Sequence, residues 1–341
     1  MVRAELLMAA TAALLSPALL AQAPEAPSAH TESMASEARQ YLDSAITLFR
    51  QAHINSSRVN WSRVSLEAYA SAAGAKTTAD TYPAIWLIIK ALGEKHTFFM
   101  TPDQAKAQST GKASNNTEAP PFLLPEGAML SQGIGLIRLY GFSGSTEQGK
   151  QYAEMGQAKL KGLQAQGICK FVVDLRPNVG GNMYPMIDAL SGLLGEGVLG
   201  TFENAAGQIT PWVLRDGKTT TLVGGAAVTN PSNQVQHSAP VAVLIGPSTS
   251  SAGEYTAMSF KGRPNTRFFG ASTSGYTTAN QPVPLSDGAV IIMTVGWGRD
   301  RTGKRYVDRM DPDEVTGAGG PALDAVVDWL SRQRCASQSK G

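Results

Sequence analysis

Val241-Ala242-Val243-Leu244-Ile245-Gly246-Pro247-Ser248-Thr249-Ser250-Ser251-Ala252-Gly253-Glu254 begins as an uninterrupted apolar run and ends in small hydroxyl residues. The run has the length and β-branched content of a buried strand, Gly246-Pro247 stops it, and a helix-compatible segment follows. A serine therefore stands at a strand-to-helix turn. There its hydroxyl projects from the sheet edge, and the first free amides of the helix can hold an oxyanion. The same residues also suit a serine-rich cap on an ordinary helix.

A second stretch, Asp174-Leu175-Arg176-Pro177-Asn178-Val179-Gly180-Gly181-Asn182, leaves another apolar run at 168–174 and enters a helix at 184–194. Paired glycines let backbone amides approach a ligand and converge on negative charge, so an oxyanion hole can be built here. A plain βα turn that needs glycine fits equally well. Phosphate binding fits less, because neither the P-loop lysine nor the three-glycine dinucleotide spacing is present.

Outward from these turns, 134–140 reads as a strand, 147–166 as a helix, 289–295 as a strand, and 322–330 as a closing amphipathic helix. Asp216-Gly217 reads as a hairpin between 212–214 and 219–222. Strands alternating with helices predict an α/β core of parallel βαβ units. Before that core, apolar residues recur at helical spacing over 33–53, 60–73 and 81–93, which predicts a small helical subdomain. Residues 104–121 are rich in Ser, Asn, Thr, Lys and Pro and read as a linker or exposed loop. The expected division is a signal peptide at 1–23, helices at 31–103, a linker at 104–125 and the core at 126–335.

The chain has 341 residues, 43% of them hydrophobic, and a net charge of +2 with mixed signs. No basic block with interleaved aromatics is present, which argues against nucleic acid as a partner. Arg3, an apolar stretch from Leu6 to Leu20 and Ala21-Gln22-Ala23 read as a cleavable export signal, giving a secreted or periplasmic protein without a permanent membrane span. The two cysteines, Cys169 and Cys335, are expected to form no disulfide framework. With no Cys/His spacing for zinc, neither a metal nor a cofactor is expected. Of four histidines, His30 falls in the polar lead-in, His53 on an exposed helix end and His237 in a polar loop. His96, in Leu92-Gly93-Glu94-Lys95-His96-Thr97 ahead of Phe98-Phe99-Met100, stands out as a candidate base, although a packed histidine fits the same pattern.

Together these three segments resemble the C-terminal-processing (tail-specific) serine peptidase family, and in particular its tricorn-core-like Ser/His branch. The likeness extends through Gly270-Ala271-Ser272-Thr273-Ser274-Gly275, Leu285-Ser286-Asp287-Gly288-Ala289, Asp300-Arg301-Thr302-Gly303 and Pro312-Asp313-Glu314. It rests on the order and spacing of the motifs. The resemblance implies a crotonase-like (ClpP/crotonase-type) core with Ser251 as nucleophile and an oxyanion held by the Gly180 or Gly181 amide together with that of Ala252. His96 is then the general base, and Asp300, Asp308 or Glu254 is the acid beside it. Glu254 lies three residues after Ser251, on the same helix face, where it can orient a base, bind substrate or compensate helix charge.

Two departures from the family pattern shape the expectation. Tyr276 occupies the position of the lysine base of the tail-specific branch, and Lys95 that of the serine which precedes the histidine in the tricorn-like branch. The segment from Thr101 to Leu130 is too short for the PDZ module that grips protein tails. The expected activity is that of an exported serine peptidase acting on peptides or unfolded polypeptides through an acyl-enzyme. Alternatives are a catalytically inactive peptide- or ligand-binding protein on the same fold, and a hydrolase of other acyl substrates.

Overall fold

The computed structural model describes residues 34–110, 123–130, 133–222, 239–317 and 320–335. The signal-peptide reading, His30 and His237 lie outside them. In chain order the elements begin with α1 (Ser36–Ala52), α2 (Trp61–Ser71), α3 (Tyr82–Ala91), β1 (Phe98–Met100) and α4 (Pro102–Thr110). Next come β2 (Glu126–Met129), β3 (Ile134–Arg138), α5 (Thr146–Ala165), β4 (Lys170–Asp174), α6 (Met183–Ala189) and α7 (Ser191–Leu194). They are followed by β5 (Gly197–Asn204), β6 (Ile209–Arg215), β7 (Lys218–Thr221), β8 (Val241–Ile245), α8 (Ala252–Met258) and β9 (Thr266–Gly270). The chain closes with β10 (Thr278–Pro284), β11 (Val290–Asp300), β12 (Arg305–Tyr306), β13 (Glu314–Val315) and α9 (Gly320–Ser331). The expected single helix over 184–194 is broken into α6 and α7 at Leu190, and α4 occupies the start of the stretch read as a loop.

The described residues divide into two units: one holds 34–107 with 204–208 and 279–296, the other the remaining described residues. In the first, α1, α2 and α3 present Leu42, Phe49, Val64, Ile85 and Ile88 to one core. Helices of this length cannot bury enough apolar surface alone. The returning hairpin of β10 and β11 adds Leu285, Ala289, Ile291 and Met293 to the same cluster, and β1 pairs antiparallel with β11, Phe98 opposite Ile292.

In the second unit the sheet runs β13-β9-β8-β4-β3-β2. Strands β3, β4, β8 and β9 are parallel neighbours, with Ile137 beside Val173, Val173 beside Val243 and Val243 beside Phe268. All five residues of β8 are buried, as a central strand covered on both faces requires. Ala322, Val326 and Leu330 of α9 cover one face. The hairpin of β6 and β7 turns at Asp216 and Gly217, both with positive φ (49° and 71°), where the sequence places it. Cys169 and Cys335 are disulfide-bonded, with Cα atoms 5.7 Å apart, where no disulfide framework is expected from the sequence. The pairing is invisible in the sequence because the two lie 166 positions apart, and only the seating of α9 on the sheet brings the chain end back to the start of β4.

Candidate active site

Because β4 and β8 are parallel neighbours with Asp174 beside Leu244, the turns that leave them emerge at the same carboxyl edge of the sheet. That edge is where α/β sheets gather ligand-binding groups. The turn after β8 is closed by Thr249, which is fully buried. Its hydroxyl accepts the Gly246 amide at 3.0 Å and donates to the Leu175 carbonyl at 2.8 Å, tying this turn to the one after β4. Ser251 then adopts φ 49° and ψ −117° immediately before α8. The other non-glycine residues with positive φ among those described are Asp216 and Asn265, types that tolerate it. A serine held there is strained, as at the elbow that lifts a nucleophile off a sheet.

The turn after β4 is organised by two buried polar side chains. Burial opposes ionisation of Asp174, but Arg176 at 2.8 Å and Arg138 at 3.1 Å hold its carboxyl below the usual carboxylate range. Asn178 is fully buried. Its side-chain amide donates to the Tyr140 carbonyl at 3.2 Å, its Oδ1 accepts the Gly180 amide at 3.1 Å, and its backbone carbonyl accepts the Ser250 amide at 3.0 Å. The sequence quotes Asn178 in its motif without giving it a role; the structure makes it the joint between the two turns.

Gly180 packs against the turn after β8: a Cβ there would sit 2.9 Å from the Ser250 carbonyl oxygen and 3.0 Å from Ser251 Cβ. At Gly181 a Cβ would fall 1.9 Å from the Phe142 carbonyl oxygen, which accepts the Asn182 amide at 2.7 Å. Both glycines have positive φ, 103° and 117°. The glycine pair is thus required by close approach as well as by backbone angle.

Glu254, fully buried, faces back to the start of its helix. One carboxylate oxygen accepts the Ser251 amide at 2.9 Å and the Tyr276 amide at 2.7 Å. The other accepts the Gly275 amide at 2.9 Å and the Thr273 hydroxyl. Burial pushes its carboxyl up, and these four donors pull it back. Glu254 therefore clamps residues 273–276, including the tyrosine at the family's lysine position, to the backbone of Ser251.

Ser251, Ala252, Glu254, Gly180 and Gly181 are brought together in the second unit. His96 belongs to the first, 8% exposed on the way from α3 to β1. Asp300 belongs to the second, where its carboxylate accepts the Thr302 and Lys304 amides and the hydroxyls of Thr302 and Tyr306. Asp308 is exposed, beside Gly275. His53, expected on an exposed helix end, is 1% exposed instead. Its ring is turned inward at the end of α1 onto Glu94 and Thr97. Among the described residues no group of three or more His, Cys, Asp and Glu side chains is arranged to hold a metal ion.

A model of peptidase family S41 matches residues 133–316. The chain is 31% identical over 274 residues to a nisin-resistance protein of Lactococcus lactis subsp. lactis, covering 80% of each. Among solved structures it is similar to a lipoprotein from Streptococcus agalactiae, with a TM-score of 0.69 and 23% identity over 87% of this chain and 97% of that one. It is also similar to the photosystem II D1 C-terminal processing protease, with a TM-score of 0.60 and 17% identity over 88% of this chain and 98% of that one. These likenesses agree with a ClpP/crotonase-type core preceded by helices.

Proposed function

On the premise that this chain belongs to peptidase family S41 and is a serine peptidase, we propose that it is exported and cleaves peptides or unfolded polypeptides with Ser251 as nucleophile and His96 as general base. The observation that carries the reading is the strained backbone of Ser251 at the carboxyl end of β8, with Gly180 packed against it. In the proposed reaction the Ser251 oxygen attacks the scissile carbonyl carbon while His96 takes the hydroxyl proton. The tetrahedral oxyanion accepts hydrogen bonds from the Gly181 and Ala252 amides; the Gly180 amide already donates to Asn178. Collapse breaks the C–N bond, and the proton on His96 leaves with the amine. Water, deprotonated by His96, then releases the acyl group and restores the serine. Glu254 positions the Ser251 backbone and takes no proton in this scheme.

Export is supported by the signal-like N-terminus and by the Cys169–Cys335 bond, which suits an oxidising compartment. The relative named for nisin resistance is in keeping with this reading. No helix of the described residues is long and apolar enough to cross a membrane. Ser251→Ala tests the reading: peptide hydrolysis by the purified protein is expected to vanish, and unchanged hydrolysis overturns it. Tyr276 in place of the family lysine favours a second reading, a binding protein without turnover. Covalent labelling by a fluorophosphonate that is lost in His96→Ala counts against it.

A further inference from the structure

His53 and Glu94 fall outside the reaction scheme, yet they anchor a connected polar cluster in the first unit. His53 Nδ1 accepts the Asn55 amide at 3.0 Å, so that nitrogen carries no proton. The proton is on Nε2, which faces Glu94 Oε1 at 3.3 Å and the Thr97 hydroxyl at 3.1 Å. Glu94 also accepts the Thr97 amide at 2.7 Å on the same oxygen and the His96 amide at 2.5 Å on the other.

The Thr97 hydroxyl has its acceptor sites filled by His53 and by the Thr294 amide at 3.0 Å, so its own proton goes to the Thr294 hydroxyl, also at 3.0 Å. Thr294 in turn donates to Asn280 Oδ1 at 3.0 Å, which fixes the amide so that Nδ2 donates to the His96 carbonyl at 2.7 Å. The chain of bonds closes on itself. It grips both the amide and the carbonyl of His96, and each of its bonds has a defined donor once the His53 proton is on Nε2.

We infer that His53 and Glu94 are positioning residues for His96, setting its main chain through this closed ring, in which His53 is the donor and Glu94 the acceptor where its two arms meet. The inference rests on His96 being the base. A polar ring buried at this depth is costly unless complete, so its completeness rigidifies what it holds. Catalysis is sensitive to such placement, because a shift of about 1 Å costs on the order of 100-fold in rate.

The test compares His53→Leu, His53→Gln and Glu94→Gln with His96→Ala, using kcat and KM on a fluorogenic peptide that the wild-type protein cleaves. His53→Leu is expected to lower kcat by about 10- to 100-fold with KM little changed. His53→Gln, which restores a donor toward Glu94 and Thr97, is expected to recover much of the loss. Glu94→Gln, which sets one donor against another, is expected to behave like His53→Leu. If His53→Leu does not fold, the two glutamine variants carry the comparison. Full activity in His96→Ala overturns the base assignment and this inference with it. An inactive His96→Ala beside wild-type kcat in folded His53 and Glu94 variants overturns this inference alone.

Discussion

The backbone carbonyl of Asn178 accepts the backbone amide of Ser250 at 3.0 Å, so a residue of the glycine turn after β4 holds the residue next to Ser251, the proposed nucleophile, in the turn after β8. The same asparagine occupies the Gly180 amide with Oδ1. Asn178→Ala leaves that buried amide without its partner, costing about 1–3 kcal/mol, while the Tyr140 carbonyl keeps the Tyr152 hydroxyl at 2.6 Å. The expected outcome is a drop of about 1–3 kcal/mol in unfolding free energy and at least tenfold lower kcat, roughly what about 1.4 kcal/mol of misplacement gives. Urea unfolding and peptide turnover check it.

Ser251 carries a backbone strain that glycine would relieve. Ser251→Gly and Ser251→Ala both remove the hydroxyl, and both are expected to be inactive. They should differ in stability, with the glycine variant more stable than the alanine variant by about 1–3 kcal/mol. Equal thermal midpoints would count against the strained geometry.

Glu94 supplies an acid-dependent part of stability. Burial works against its ionisation, but His53, Thr97 and the His96 amide together hold its carboxyl at about 2, against an ordinary 4.5. A carboxyl depressed in the folded state stabilises at pH values above its unfolded pKa, and the contribution is lost as the pH falls through the folded one. Here that window runs from about 4.5 down to about 2, and the difference corresponds to about 3 kcal/mol. Glu94→Gln is expected to flatten the acid limb of a stability-versus-pH curve in this window. An unchanged limb would show that the pairing contributes nothing.

The Cys169–Cys335 bond closes most of the second unit, its ends 166 positions apart in sequence. Replacing both cysteines by serine is expected to cost about 2–5 kcal/mol of stability. The thermal midpoint of the wild-type protein should fall correspondingly on reduction, while that of the double variant stays unchanged.

The core and its two turns were legible in the sequence because their signals are local. Apolar runs such as 168–174 and 241–245 end at Gly180-Gly181 and at Gly246-Pro247, and alternation with helices forces parallel order. What the sequence hid depends on contacts between distant residues. Asn178 does part of its work through a main-chain carbonyl, which has no residue signature. His53 reads as exposed because polar Arg50 and Gln51 precede it, whereas its burial is made by Glu94, Thr97 and the returning strand that carries Thr294. The disulfide needed α9 to be seated before its partners could meet. Strand β9 has only five residues and opens with Thr266 and Arg267, so its apolar run was too short to register.

The most direct test of the central claim is the rate at which a fluorophosphonate labels the purified protein, with the modified residue identified by mass spectrometry. The account predicts labelling at Ser251, its absence in Ser251→Ala, and a rate lowered by about 100-fold or more in folded His96→Ala, as removal of a general base entails. Labelling of His96→Ala at the wild-type rate, or at a residue other than Ser251, would contradict it.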